Sequence, residues 1–100
     1  MNMNDFLKLI RSKNEKWFSK TIGNPNNNPV TVRVMENFIE PFHVHEKRDE
    51  MFFVLSGDFF IDTKEGSIHL KKGQSYTVLA GIKHRARTQE RVELVVVGGQ

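Results

Sequence analysis

The chain has 100 residues, a length that supports one hydrophobic core and not two, so we expect a single domain over residues 1–100. It contains no Cys, which excludes disulfides and thiolate metal sites. The net charge is only +3 and the 15 Lys and Arg residues are scattered along the chain, so we predict that the protein does not bind nucleic acid.

The N-terminal sequence lacks the cationic start and apolar core of a signal peptide. No apolar run approaches the roughly 20 residues that a membrane-spanning helix needs. We therefore expect a cytoplasmic protein that does not associate with membranes.

The N-terminal region has the pattern of a short amphipathic helix over residues 4–13, with Asn4 or Asp5 as the N-cap. The apolar positions of this pattern are Phe6, Leu7, Leu9 and Ile10. We predict that the helix belongs to an extension of residues 1–14 and packs on the rest of the domain or on a partner.

The remainder of the sequence is typical of short β-strands separated by turns rich in Gly, Asn and Pro. In one segment Val30, Val32 and Val34 alternate with other residues, which is the period of a half-buried strand. The predicted strands are 17–22, 30–35, 38–45, 51–55, 59–63, 67–70, 75–79, 84–88 and 92–97. Many short strands and one helix predict an all-β sandwich or barrel.

Two histidines and a glutamate are spaced so that they can converge. His43 and His45 are two residues apart, so both imidazoles point to the same side if residues 38–45 form a strand. Glu50 follows the charged segment 46–49 and heads the next strand. A fourth ligand for a metal ion would have to come from another part of the chain, and the other histidines are His69 and His84.

These residues also follow two regularly spaced motifs. The first is His43-x-His45, four residues, Glu50, six residues and Gly57. The second is Gly73, five residues, Leu79-x-Gly81, two residues, His84, three residues and Thr88. This arrangement resembles the two motifs of the cupin superfamily, which usually have Gly, Pro and Asn where this chain has Asn37, Leu79 and Thr88.

The resemblance implies a double-stranded β-helix, or jelly-roll barrel, with its core in residues 30–97 and a short N-terminal helix. It also implies that His43, His45, Glu50 and His84 bind one divalent metal ion, with His69 outside the ligand set. Imidazole and carboxylate ligands without sulfur suit Fe, Mn, Ni, Cu or Zn.

Three functions are compatible with such a site. The first is a metal-dependent enzyme that acts on a small oxygen-rich molecule, as a dioxygenase or oxidase or as an isomerase resembling the mannose-6-phosphate isomerase group. Within it, Tyr76 is the candidate catalytic proton donor. The second is a non-catalytic module that binds or senses a sugar-like molecule, and the third is a barrel in which the metal only stabilises the fold.

The surroundings of the site are less determined by the sequence. By alternation, Phe52 and Val54 could face the cavity. The same alternation points Arg85 and Arg87 towards solvent, although either arginine, or Arg33, would favour an anionic substrate if it reached the barrel mouth. We predict a homodimer, because a small barrel tends to cover its apolar outer face and open edges by self-association.

Overall fold

The computed structural model describes residues 2–12 and 16–99, including all side chains of these residues except those of Met3 and Phe6. The elements are α1 Met3–Arg11, β1 Trp17–Gly23, β2 Val30–Met35, β3 Phe38–Ile39, β4 Glu50–Ser56, β5 Phe59–Thr63, β6 Gly66–Leu70, β7 Ser75–Val78, β8 His84–Thr88 and β9 Val92–Gly98, with a 3-10 turn at Pro25–Asn27. Residues 1, 13 and 14 of the predicted extension and the side chain of Phe6 lie outside the described part. Within that part, no helix is long and apolar enough to cross a membrane.

The strands form two antiparallel sheets. The order is β1-β2-β9-β4-β7 in the first sheet and β3-β8-β5-β6 in the second. From β2 to β9, strands of the first sheet alternate along the chain with strands of the second, so the chain crosses repeatedly from one sheet to the other, as in a jelly roll. The predicted all-β jelly-roll barrel with a short N-terminal helix is confirmed.

The inner faces of both sheets supply one hydrophobic core. Phe52 and Val54 from β4 are buried in it, with the Phe52 ring centroid 5.2 Å from that of Phe59 on β5. Burying side chains of this size stabilises a fold by about 1.5–3 kcal/mol each. The prediction that Phe52 and Val54 face the interior is therefore confirmed. Glu50 and His84 begin β4 and β8, so they lie at one end of this core.

Helix α1 covers the outer face of the first sheet. Ile10 is fully buried there against Val32 and Val34. The N-cap is Asn2, whose side chain accepts a hydrogen bond from the Asp5 N–H at 2.9 Å, so the predicted cap at Asn4 or Asp5 was wrong. Strand β2 is consequently buried on both faces instead of one, because its outward valines pack beneath the helix.

The predicted strand over residues 38–45 was also wrong. Strand β3 pairs only Phe38–Ile39 with β8, and pairing resumes at a single bridge between His43 and His84. Pro41 lies in the gap and has no N–H to donate. Between the pair Ile39–Arg87 and the pair His43–His84 the first chain advances four residues and the second three, so one extra residue is accommodated, as in a β-bulge.

The extra residue decides which way the histidines point. Ile39 is on the outer face and 62% exposed. In a continuous strand His43 and His45 would share the face of Ile39 and point to solvent, because side chains alternate. The bulge instead brings His43 beside the buried His84, with their ring centroids 4.5 Å apart.

Candidate metal centre

Four residues that the sequence singles out meet at one end of the barrel. One ligand atom from each of His43, His45, Glu50 and His84 lies within 4.8 Å of every other, and we call these residues the His–Glu cluster. Two atoms bound to the same ion at 2.0–2.2 Å are at most about 4.4 Å apart, so small side-chain rotations would close the set on an ion.

Backbone carbonyls orient two of the imidazoles. The Nδ1 atom of His43 lies 3.0 Å from the Pro41 carbonyl oxygen, and Nδ1 of His84 lies 2.8 Å from that of Ile82. A carbonyl can only accept, so both Nδ1 atoms carry the proton and donate. This directs both Nε2 atoms towards the centre of the cluster, which is the arrangement that metal-binding histidines usually have.

The centre of the cluster contains an unsatisfied polar atom. Glu50 Oε1 lies 2.8 Å from Nε2 of His84 and 3.4 Å from Nε2 of His45. His45 Nε2 is buried and has no hydrogen-bond partner among the described residues. A buried nitrogen without a partner costs roughly 1–3 kcal/mol, and a divalent ion would satisfy it. The donor set therefore fits a metal ion.

The His84 imidazole is under two opposing influences. Burial lowers its pKa, but the hydrogen bonds to Glu50 and to the Ile82 carbonyl, together with the charges of Glu50 and Glu40, outweigh burial and raise the pKa above its ordinary value. Metal binding would have to displace the proton that these groups favour.

Glu40 is a further carboxylate beside the cluster that the sequence reasoning missed. Its Oε1 accepts a hydrogen bond from the Ala86 N–H at 2.8 Å and lies 3.6 Å from Nε2 of His43. The only sequence signal is that Glu40 lies three residues before His43. A continuous strand would place Glu40 and His43 on opposite faces, so the pattern does not indicate that they meet.

Two glycines behind Glu50 were also missed. A Cβ on Gly99 would lie 2.7 Å from Glu50 Oε2, and a Cβ on Gly98 would lie 2.3 Å from the Asp49 carbonyl oxygen. Both glycines have φ near +80°, a conformation that other residues rarely adopt. The carboxylate of Glu50 thus rests against backbone that only glycine leaves open, and the sequence signal for this is the Gly-Gly pair at the end of the last strand.

The three departures from the family motifs have structural explanations. Asn37 has φ +49°, and Asn tolerates this left-handed conformation better than most residues, so it can stand where Gly is usual. Thr88 is buried, with its hydroxyl within hydrogen-bonding distance of the Asp58 and Glu90 carbonyl oxygens. Leu79 is 61% exposed and lines a cavity beside the cluster.

The outer face of the second sheet holds Arg85 and Arg87. The Nε atoms of both donate hydrogen bonds to Asp62 Oδ2 at 2.8 Å, and the Ser67 hydroxyl donates to Oδ1 at 2.6 Å. We call these four residues the Asp62 cluster. Burial raises the pKa of Asp62, but the hydrogen bonds from Arg87, Ser67 and Arg85 and the charge of Arg87 lower it to about 2. Both arginines point away from the His–Glu cluster, as alternation predicts.

The other residues named from the sequence lie apart from the cluster. His69 is exposed, stacks on Phe60 and bonds to Asp58 at 2.8 Å. Arg33 is partly buried, with its guanidinium carbon 5.2 Å from the centre of the Trp17 ring.

Tyr76 lies on edge strand β7, opposite Phe52, and is 38% exposed. It lines a cavity of about 490 Å³. In the described residues no hydrogen bond joins it to the His–Glu cluster, so its role as a proton donor stays a prediction.

Comparisons with known proteins agree with the fold described above. The family model for the cupin domain matches residues 30–98. A solved cupin-2 domain protein from Shewanella frigidimarina is 24% identical, with 100% of this chain and 94% of that chain covered and a TM-score of 0.85. NMB1881 from Neisseria meningitidis is 21% identical, with 100% of this chain and 98% of that chain covered and a TM-score of 0.80. KdgF from Halomonas sp. is 15% identical, with 88% of this chain and 85% of that chain covered and a TM-score of 0.73. At these identities the structures show a shared fold. Among curated protein sequences, none matches. From the match over residues 30–98, the chain belongs to the cupin family.

Proposed function

We propose that His43, His45, Glu50 and His84 bind one divalent metal ion and that the protein uses it to act on a small oxygen-rich molecule. The observation that carries this proposal is the buried Nε2 of His45, which has no hydrogen-bond partner in the described residues and faces a carboxylate. Buried polar atoms are nearly always satisfied, so an exception inside a ligand-type cluster indicates a missing partner.

The four residues would divide the work of holding the ion. The imidazoles of His43 and His84 are held in place through Nδ1 and present Nε2. Glu50 supplies the negative charge that offsets part of the ion's charge in a buried setting. A divalent ion there would supply Lewis acidity or, if redox-active, a platform for O2.

The reaction type is decided by the metal, and we propose dioxygenase, oxidase or isomerase chemistry as the alternatives. Tyr76 is proposed as the proton donor because it lies on the inner face of its strand, two residues from Val78, which pairs with Glu50. We further propose that the protein is cytoplasmic and forms a homodimer. A monomer by light scattering at micromolar concentration would contradict the dimer.

Metal analysis of protein purified without added metal tests the site. We expect a single divalent ion per chain in the wild type and its loss in His43→Ala and His84→Ala. The matched control is His69→Ala, which removes a histidine outside the cluster and should keep full occupancy. Full occupancy in His43→Ala and His84→Ala would show that the ligand assignment is wrong.

Turnover assays with the metal found would then separate the functions. O2 consumption with a redox-active metal supports an oxygenase or oxidase, whereas a redox-silent metal without O2 consumption supports an isomerase or a binding protein. A metal that raises the melting temperature while no small molecule binds would indicate a purely structural role.

A further inference from the structure

A groove lies between the β5–β6 turn and the β7–β8 loop, beside strand residues that pair with members of the His–Glu cluster. It comprises two neighbouring cavities of about 490 Å³ and about 220 Å³, which share Thr63, Lys64 and Lys83 in their linings. We call it the Lys64–Lys83 groove. Its combined size is within the range that small-molecule sites usually have.

The groove borders three members of the His–Glu cluster through direct backbone pairing. Thr63 pairs with His84 across β5 and β8, and Val78 pairs with Glu50 across β7 and β4. Directly opposite residues share a face and have Cβ atoms about 4.5–5.5 Å apart. The Gly81 N–H also donates to the His45 carbonyl oxygen at 2.9 Å. Residues that line the groove are therefore direct backbone neighbours of three cluster residues.

The walls of the groove are apolar and exposed. Of the nine large hydrophobic side chains most exposed in the described residues, four line the two cavities: Phe42, Tyr76, Leu79 and Ile82. Exposed apolar residues gathered around one concavity, instead of scattered over the surface, indicate a binding site.

Two lysines, Lys64 and Lys83, line both cavities. Neither Lys64 nor Lys83 forms an ion pair with another described residue, although Glu65 also lines the larger cavity. The groove therefore carries an excess of one positive charge next to apolar walls. An apolar surface with two uncommitted ammonium groups complements a molecule that has a hydrocarbon part and an anionic group.

We propose that the Lys64–Lys83 groove binds the substrate, and that this substrate is an amphipathic carboxylate whose anionic group contacts Lys64 and Lys83 and whose hydrocarbon part lies against Tyr76, Leu79 and Ile82. The proposal rests on the proposed function and specifies the substrate of that site as an organic acid whose oxygen atoms lie in its anionic group and whose remainder is apolar.

The test compares 4-phenylbutyrate with the neutral 4-phenylbutanol by titration calorimetry, using full-length protein as purified and after removal of metal by a chelator. We expect the acid to bind at least about tenfold more tightly than the alcohol, because hydrogen bonds to charged groups are stronger than those to neutral ones. The double variant Lys64→Gln, Lys83→Gln should abolish that difference, and Leu79→Ser should weaken both ligands. Lys72→Gln, in an exposed turn elsewhere, is the matched control and should change neither.

Equal affinity for acid and alcohol, or no binding of either, would overturn the proposal. A second result would also overturn it: a wild-type dimer that binds neither probe and becomes a monomer in Leu79→Asp. In that case a second copy of the chain would fill the groove. Binding to chelator-treated protein does not depend on the metal, so the two proposals can fail separately. If the protein contains its metal but does not bind the acid more tightly than the alcohol, only this inference is refuted. If the protein contains no metal but still binds the acid more tightly, only the proposed metal site is refuted.

Discussion

Strand β8 carries polar side chains on both faces, and their hydrogen-bond partners differ between the two faces. On the outer face, Arg85 and Arg87 meet Asp62, which accepts three side-chain hydrogen bonds and has no unsatisfied oxygen. On the inner face, His84 meets Glu50 in a cluster where His45 Nε2 has no hydrogen-bond partner among the described residues. Both carboxylates are similarly buried, at 7% and 6% exposure.

The contrast separates a structural network from a binding site. A buried polar network that is complete stabilises and rigidifies the fold, whereas one that lacks a partner costs stability until something binds. Because side chains alternate along a strand, the five residues of β8 contribute to both clusters, one on each face. Burial and charge alone would not distinguish the two clusters, but their hydrogen-bond partners do: Asp62 has a complete set, whereas His45 Nε2 has none among the described residues.

The largest effect on metal binding should come from removing the negative charge of Glu50 in the His–Glu cluster. Glu50→Gln keeps the shape of the side chain but loses its negative charge, so we expect metal affinity to fall by at least about 100-fold. Competition with a chromophoric chelator measures this. Asp62→Asn is the control from the outer face and should leave the affinity unchanged. A change of less than threefold in Glu50→Gln would place the ion elsewhere.

The same outer-face substitution should instead reduce stability. Asp62→Asn removes the acceptor shared by Arg85 and Arg87, and we expect the free energy of unfolding to fall by about 2 kcal/mol in urea denaturation. Asp58→Asn provides the exposed control, with an expected change below about 0.5 kcal/mol. If Asp62→Asn has the same midpoint of urea unfolding as the wild type, the Asp62 cluster is not a stabilising network.

Acid should weaken the outer network in a defined range. The pKa of Asp62 is lowered from 3.8 to about 2, so its contribution is fully present above pH 3.8 and is lost as the pH falls through about 2. We expect wild-type protein to lose about 1–2 kcal/mol more than Asp62→Asn over this range. Parallel acid denaturation curves for the two proteins would contradict the lowered pKa.

A smaller change is expected from the backbone behind Glu50. Gly99→Ala would place a methyl group against the carboxylate and displace it, so metal affinity should fall about tenfold. The control is Gly23→Ala, where the nearest atom would be 3.9 Å away and φ is not positive. Unchanged affinity in Gly99→Ala would show that Glu50 does not need this support.

The sequence predicted the members of the His–Glu cluster because their identity and order are linear properties. It also predicted most strands, since period-two alternation and Gly turns mark them. It did not predict that Arg85 and Arg87 share Asp62, because the register between β5 and β8 depends on the whole sheet. Nor did it predict the Lys64–Lys83 groove, which forms only when two distant turns are brought together.

The single extra residue between Ile39 and His43 also makes the site depend on the length of this segment and not only on its residue types. If residues 39–43 paired regularly without the bulge, His43 and His45 would turn outward with every ligand still present in the sequence. Deleting one residue from 40–42 would instead leave three steps between Ile39 and His43, so a regular strand would keep His43 opposite His84 on the inner face. A related chain with the same motif therefore keeps the site only if its backbone accommodates the number of residues in this segment.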